Sequence, residues 1–357
     1  MLLTYGIITI VLIILELLYF QVADYLNIID KPNQRSSHTT IVIRGGGAIF
    51  ALSALVWCGL QAAHGDWHVI ATHWPFLAGL VLVAGISFID DLKTLSVRIR
   101  LVGQFGAVAL ACYQLGLFDS FQLSGCMIHN LILPFLIIIL VLVSQVGAIN
   151  VINFMDGING ITAGYSLAVL IPLSLINGHN QYFLRSLVAT VLISVLVFCF
   201  FNFREKGRAR CFAGDVGSVG IGYILLFLLS SVIIKTQDPT YLVFLSVYGV
   251  DGVLTIFHRI MLHENLSDAH RKHAYQIMSN ELHMSHILVS SIYALIQVGI
   301  SLGFIYLCPD NPVCHWMYLV GTLLILSVLY ILFMKKYYHL HEDYLASLKK
   351  QPVSSYS

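Results

Sequence analysis

Five polar clusters interrupt an otherwise apolar chain, and their residue types and spacing could do chemistry on a charged ligand. FIDDLKTLSVRIR sets Asp90 beside Asp91, with Lys93, Arg98 and Arg100 close behind. Adjacent acids repel, so such a pair calls for a cation or nearby bases. INVINFMDGINGI holds Asn153, Asp156 and Asn159 at intervals of three, which on a helical turn lie near one face. Gly157 and Gly160 loosen that turn, and no Lys or Arg accompanies it. RARCFAGDVGSVGIG places Asp215 at the entry to a long apolar run. Carboxylate and amide oxygens suit Mg²⁺, which keeps several waters and is completed by substrate phosphates. Gly214, Gly217 and Ser218 around a helix start would offer N–H donors to phosphate, although no GxxxxGK[ST] loop exists. HENLSDAHRKHAYQ carries His270 and His273 around Arg271 and Lys272, a set that favours an anion over a metal. The early segment DKPNQRSSHTTIVIRGGG adds Lys31, Arg35, His38 and Arg44 before Gly45–Gly47.

Each cluster also has a plainer reading: a solvated loop start, an amide-rich turn, an aspartate helix cap, a basic loop on lipid headgroups, a glycine-rich helix start. Glu16 and Asp251 stand apart, inside apolar runs, where an acid is either functional or a buried polar contact.

The elements that position these clusters must lie in a bilayer. The 357 residues are 58% hydrophobic and 10% charged, with a mean hydropathy of +0.84. A soluble domain carries about 25% charged residues, and this chain cannot cover a water-facing surface of its size. Net charge is +1, which points to no nucleic-acid partner. Apolar windows near the roughly 20 residues that cross a membrane fall at about 1–20, 45–63, 70–89, 101–118, 130–148, 161–177, 184–203, 216–234, 240–257, 287–307 and 316–334. The first lacks a basic start and a cleavage site, so it reads as a retained helix. The expectation is an all-α polytopic protein of about eleven spans: one catalytic transmembrane domain over 1–335 and a polar cytoplasmic tail over 336–357.

With the N-terminus outside and the C-terminus inside, seventeen of the 19 Lys and Arg fall on the inner face; only Arg185 and Lys235 lie outside. All five clusters then share that face. The last outer loop holds Cys308 and Cys314, which could pair, though two separate thiols are the simpler reading.

Asp90-Asp91, NFMDGINGI and FAGDVGS, in this order between the spans, resemble the polyprenyl-phosphate N-acetylhexosamine-1-phosphate transferase family. The resemblance covers roughly residues 1–335 and includes the branch of the muramoyl-pentapeptide translocases. It implies a bacterial inner-membrane enzyme that moves a sugar-1-phosphate from a UDP-N-acetylhexosamine to undecaprenyl phosphate on the cytoplasmic face. Mg²⁺, with Mn²⁺ as the alternative ion, would sit on Asp215 and Asn153. Asp90 would receive a proton from the lipid phosphate or align it, with Asp91 and Asp156 as further catalytic acids. Phe212 would stack on uracil, Asn159 would contact the nucleotide, Arg100 would lie near the phosphates and Lys31 matches a basic residue of the first inner loop; Gly214, His270, Arg271 and His273 complete the expected substrate-binding set. Related enzymes suggest a homodimer. One departure stands out: the HxHH cluster common in the family is here His273-Ala274-Tyr275-Gln276. AHRKHAYQ resembles the transferases that start O-antigen or capsule units, so the sugar would be GlcNAc or a 6-deoxy relative, QuiNAc or FucNAc. The rival classes are a transporter or lipid-carrier flippase, which would hold its charges at mid-membrane on repeated broken helices, and a scaffold without chemistry.

Overall fold

The computed structural model describes residues 2–30, 41–118, 132–266 and 270–350. Each of the eleven apolar windows carries a helix over most of its described residues. In chain order the long elements are α1 (Leu2–Leu26), α2 (Ala48–Ala63), a short α3 (Trp67–Thr72), α4 (Trp74–Leu92), α5 (Val97–Gln114), α6 (Ile132–Phe154), α7 (Ile161–Asn180), α8 (Arg185–Asn202) and α9 (Gly214–Thr236). A 3₁₀ turn, Pro239–Leu245, runs into α10 (Ser246–Met261); a short α11 (Ala274–Asn280), α12 (His286–Tyr306) and α13 (Pro312–Lys350) complete the chain. The protein is an all-α, multi-pass membrane protein. Among the described residues, nine helices are long and apolar enough to cross a bilayer. Two of the eleven expected spans fall short of that measure. Helix α2 has 16 residues, and α5 opens on Val97-Arg98-Ile99-Arg100, whose charges lower its hydropathy.

Helix α9 is the axis of the bundle. Its most apolar window is 83% buried, and residues from Val216 to Val232 are enclosed almost without a break. A helix apolar all round belongs inside other helices, and α4, α6 and α2 surround this one. Helix α12 packs along α7, and α8 fills the space between α1, α2 and α7. The last helix does not stop near residue 335. It runs for 39 residues, about 58 Å at 1.5 Å per residue, roughly twice the hydrocarbon thickness. Its extension lies on α11, where Met334 packs with Ala274 and Ile277.

A small polar joint ties the ends of these helices together. Strands β1 (Ile29–Asp30) and β2 (Val42–Ile43) pair antiparallel, and Ile43 forms a parallel bridge to Cys211. The chain then enters α2 through Gly45–Gly47 where α9 begins. A Cβ on Gly47 would stand 2.4 Å from the Gly217 Cα, so the two helix starts can cross only with glycine on both sides.

Gly47→Val is expected to lower the melting temperature of detergent-solubilised protein, since overpacking costs about 1–3 kcal/mol. Gly59→Val, whose Cβ would meet nothing within 4 Å, should leave it unchanged. Equal melting of the two variants would remove the close crossing from the account.

Candidate active site

The joint delivers Arg44 to the start of α9. Gly46 N donates to Phe212 O (2.9 Å), Phe212 N to Ile43 O (2.8 Å) and Gly47 N to Ala213 O (3.1 Å), so 43–47 and 211–213 run as one ribbon. From it Arg44 Nε reaches Asp91 Oδ1 at 2.7 Å and Arg44 Nη2 reaches Asp215 Oδ2 at 3.3 Å. Asp91 comes from the far end of α4. Its Oδ1 accepts from Asp215 N and its Oδ2 from Val216 N, each at 2.9 Å. Helix α9 has no cap from its own flanking residue, Ala213; a carboxylate from another helix caps it instead. Asp91 thus takes the N–H groups of Asp215 and Val216, which lie between Gly214 and the Gly217-Ser218 pair expected to face a phosphate. Gly214 serves that arrangement: at φ +70°, a Cβ there would lie 2.6 Å from Asp91 Oδ2.

Asp90 turns the other way, accepting from Leu95 N at 2.5 Å and pairing with Arg100 Nη1 at 3.1 Å. It closes the α4–α5 turn. Asn153 meets α9 one turn beyond Asp215, its Oδ1 accepting from Ser218 Oγ at 2.7 Å. The triplet expected on one helical face divides here. Helix α6 ends at Phe154, so Asn153 is helical while Asp156 and Asn159 lie in the following turn. Gly160 at φ +82° is the N-cap of α7. Asp156 Oδ1 accepts from Thr162 Oγ1 at 2.5 Å. Burial first, then the charge of Asp91, pushes its carboxyl from the ordinary 3.8 up to about 6, against the pull of Thr162 and Arg44.

Four aspartates thus meet two arginines, which leaves an excess of negative charge. Of the three that pair with the arginines, Asp215 is the most open: its side chain keeps 21% of its surface, against 0% for Asp91 and 3% for Asp90. Among the described residues no three His, Cys, Asp or Glu converge into a protein-built metal cage. One open carboxylate beside an amide oxygen is nonetheless a donor set that fits Mg²⁺, whose shell is completed by water and substrate phosphate.

The other expected residues are distributed around this centre. Asn159 is 2% exposed; its Nδ2 donates to Arg204 O (2.9 Å) and Glu205 O (3.0 Å), so it braces the 202–205 turn rather than facing a ligand. Phe212 is half-buried, with its backbone held in the ribbon. Lys31 lies outside the described residues. Arg271 reaches Glu281 Oε1 at 3.2 Å and lies 4.4 Å over the Tyr344 ring, which directs it to the extension of α13. His270 stands edge-on to Phe154 with ring centroids 6.3 Å apart. Burial, then His273 and Arg259, lower its pKa to about 3, so at neutral pH it is an uncharged ring and not a cation for phosphate. His273 meets Asp251 at 3.2 Å. Cys308 and Cys314 are free thiols.

Two contributors escape a reading of motifs. Arg44 was legible only as a topology-determining base next to a glycine run, although it joins two of the aspartates. Asn202 joins the turns, accepting from Gly160 N (2.8 Å) and donating to Cys211 O (2.8 Å); nothing in the sequence marks it.

Residues 73–233 match glycosyl transferase family 4. The chain is 26% identical over 260 residues, 71% of its length and 70% of the relative's, to the probable undecaprenyl-phosphate N-acetylglucosaminyl 1-phosphate transferase of Bacillus subtilis (strain 168). It is 25% identical over 324 residues, 85% and 83% of the two chains, to the undecaprenyl-phosphate alpha-N-acetylglucosaminyl 1-phosphate transferase of Salmonella typhi. A shorter match, 34% over 176 residues, covers 46% of this chain and 49% of the phospho-N-acetylmuramoyl-pentapeptide-transferase of Synechococcus sp. (strain JA-2-3B'a(2-13)). The family resemblance drawn from the motifs holds.

A raised carboxyl makes a signed prediction. The contribution of Asp156 to stability is fully present below pH 3.8 and is lost as pH rises through about 6. In EDTA, Asp156→Asn should therefore melt increasingly above the unmodified protein between about pH 4 and pH 6, with the difference constant above about pH 7. A melting difference independent of pH would show that Asp156 is not held in a disfavoured charged state.

Proposed function

We propose, from a chain whose residues 73–233 match glycosyl transferase family 4, that this protein transfers an N-acetylhexosamine-1-phosphate from a UDP-sugar to undecaprenyl phosphate and releases UMP. The observation that carries this reading is the open Asp215 carboxylate, held by Arg44 at the start of α9, with Asn153 bonded to Ser218 one turn along the same helix. The relatives named for this reaction on undecaprenyl phosphate align over 71% and 85% of the chain. The basic residues favour a cytoplasmic site, with the N-terminus outside.

Asp215 and Asn153 would hold Mg²⁺, which when bound neutralises charge on the pyrophosphate and the leaving UMP. The rest is positioning, since phosphoryl transfer asks little covalent chemistry of the protein. Arg44 keeps one oxygen of Asp215 oriented. Asp91 fixes the start of α9, so Asp215 cannot swing away. Asp90, already engaged by Leu95 N and Arg100, sets Arg100 and acts as aligner rather than base. The acceptor phosphate oxygen then attacks the β-phosphorus in one step. The sugar would be GlcNAc, QuiNAc or FucNAc, and the product would start a cell-surface glycan such as an O-antigen, a capsule or a wall polymer.

Purified protein with undecaprenyl phosphate, Mg²⁺ and each of the three UDP-sugars tests this by UMP release. Asp215→Ala should lower the rate by about 10³-fold, several kcal/mol of charge stabilisation, while the protein still inserts. Full activity of that variant, or in EDTA, would overturn the metal site. A stoichiometric burst of UMP without the lipid acceptor would replace the single step by an aspartyl-phosphate route.

A further inference from the structure

Helix α11 begins with Ala274-Tyr275-Gln276, and the transferase reading above gives these residues no part. They close on the turn that follows Asn153. Helix α6 ends at Phe154, and the carbonyls at a helix end lack intrahelical donors. Asn153 O accepts from Asp156 N and Met155 O from Gly157 N, each at 3.1 Å and both inside the turn. Phe154 O is met from another element: Tyr275 OH donates to it at 3.1 Å. Gly157 makes the approach possible. A Cβ there would collide with the Tyr275 hydroxyl and stand 2.9 Å from Gln276 Nε2.

The clamp is held from behind. Asp251 Oδ1 accepts from Ala274 N at 3.2 Å, and Met334 of α13 packs on Ala274 and Ile277. The buried Tyr275 ring lies between His273 and Tyr293, with centroids 5.6 Å and 6.1 Å away. A phenylalanine ring would fill the same space; only the hydroxyl reaches the turn. The residue before Phe154 is Asn153, whose Oδ1 accepts from Ser218 Oγ.

We propose that Tyr275 is a positioning residue for the transfer reaction: its hydroxyl fixes the last turn of α6 and so sets where the Asn153 side chain stands relative to Asp215. This rests on the transferase reading, in which Asn153 and Asp215 would hold Mg²⁺. Tyr275 touches neither the ion nor a substrate, and its effect passes through one peptide carbonyl. Without that bond the end of α6 is free to fray, as helix ends do, and Asn153 moves with it. Mg²⁺ demands near-ideal octahedral geometry, so a displaced amide oxygen serves it poorly.

The test uses the full-length purified protein, Tyr275→Phe and a matched control, Tyr223→Phe. Tyr223 is also a buried phenol on a helix carbonyl, donating to Phe76 O at 3.2 Å, at the far end of α4 from Asp90 and Asp91. In EDTA the two variants should melt equally below the unmodified protein, each having lost one hydrogen bond. The saturating rate of UMP release should fall about 10-fold in Tyr275→Phe alone, with KM for the UDP-sugar within about twofold. The second readout needs no turnover. Mg²⁺ added alone should raise the melting temperature of the unmodified protein, and Tyr275→Phe should need about 10-fold more of it for half of the rise, whereas Tyr223→Phe should not. The same Mg²⁺ requirement in both variants would overturn the proposal, as would a rate in Tyr275→Phe within twofold of that in Tyr223→Phe. So would a rate loss matched by a larger fall in melting temperature than the control shows, or no rise with Mg²⁺ in the unmodified protein. If the unmodified protein released no UMP from any of the three donors, the transferase reading would fall, and the Mg²⁺ titration would still decide whether Tyr275 places Asn153.

Discussion

A single carboxylate, that of Asp91, receives the N–H groups of Asp215 and Val216, the second and third residues of the most buried helix, together with the guanidinium of Arg44. The side chain of Asp91 is wholly enclosed. The cap alone is worth about 0.5–2 kcal/mol, whereas removing one partner from a buried ion pair costs about 3–5 kcal/mol. The pair with Arg44 therefore dominates, and the ribbon that brings Arg44 into place is bound to the start of α9. Because Asp90 precedes Asp91 on the same helix end, it points about 100° away around the axis and closes the α4–α5 turn instead. One dipeptide thus sets two joints, and Asp215 keeps its open edge because both neighbours are committed elsewhere.

The same device recurs at α11. There too an acid on an apolar helix, Asp251, caps a helix that is not its own. Helix ends near a bilayer expose N–H groups that hydrocarbon cannot satisfy, and carboxylates carried by neighbouring helices satisfy them here while fixing the polar turns in register. Asn202 and Asn159 extend this bracing through amides. The candidate site is in this sense a set of helix starts fastened by acids, with Asp215 left with an open edge.

Much of the fold was legible because hydrophobic length is a strong signal: every apolar window carries a helix over most of its described residues. The extent of α13 was not, because its last residues are polar and gain their helical state from packing on α11, a tertiary effect. Of the site, Asp215 and Asn153 were legible from residue chemistry and from the order of motifs. The roles of Asp91 and Gly214 were not, because a cap donated across helices leaves no local spacing to read. The even spacing of Asn153, Asp156 and Asn159 misled, since α6 ends at Phe154, within the triplet. Arg44 looked like an ordinary inner-face base until the ribbon placed it between two aspartates.

The direct test of this constraint is a double-mutant cycle on melting free energy with Arg44→Gln, Asp91→Asn and the pair. Residues in contact couple by about 0.5–3 kcal/mol, and the account expects at least about 1 kcal/mol, with the double variant less unstable than the sum of the single changes. Additivity within about 0.3 kcal/mol would contradict it, because Arg44 and Asp91 would then act apart and the start of α9 would need some other anchor.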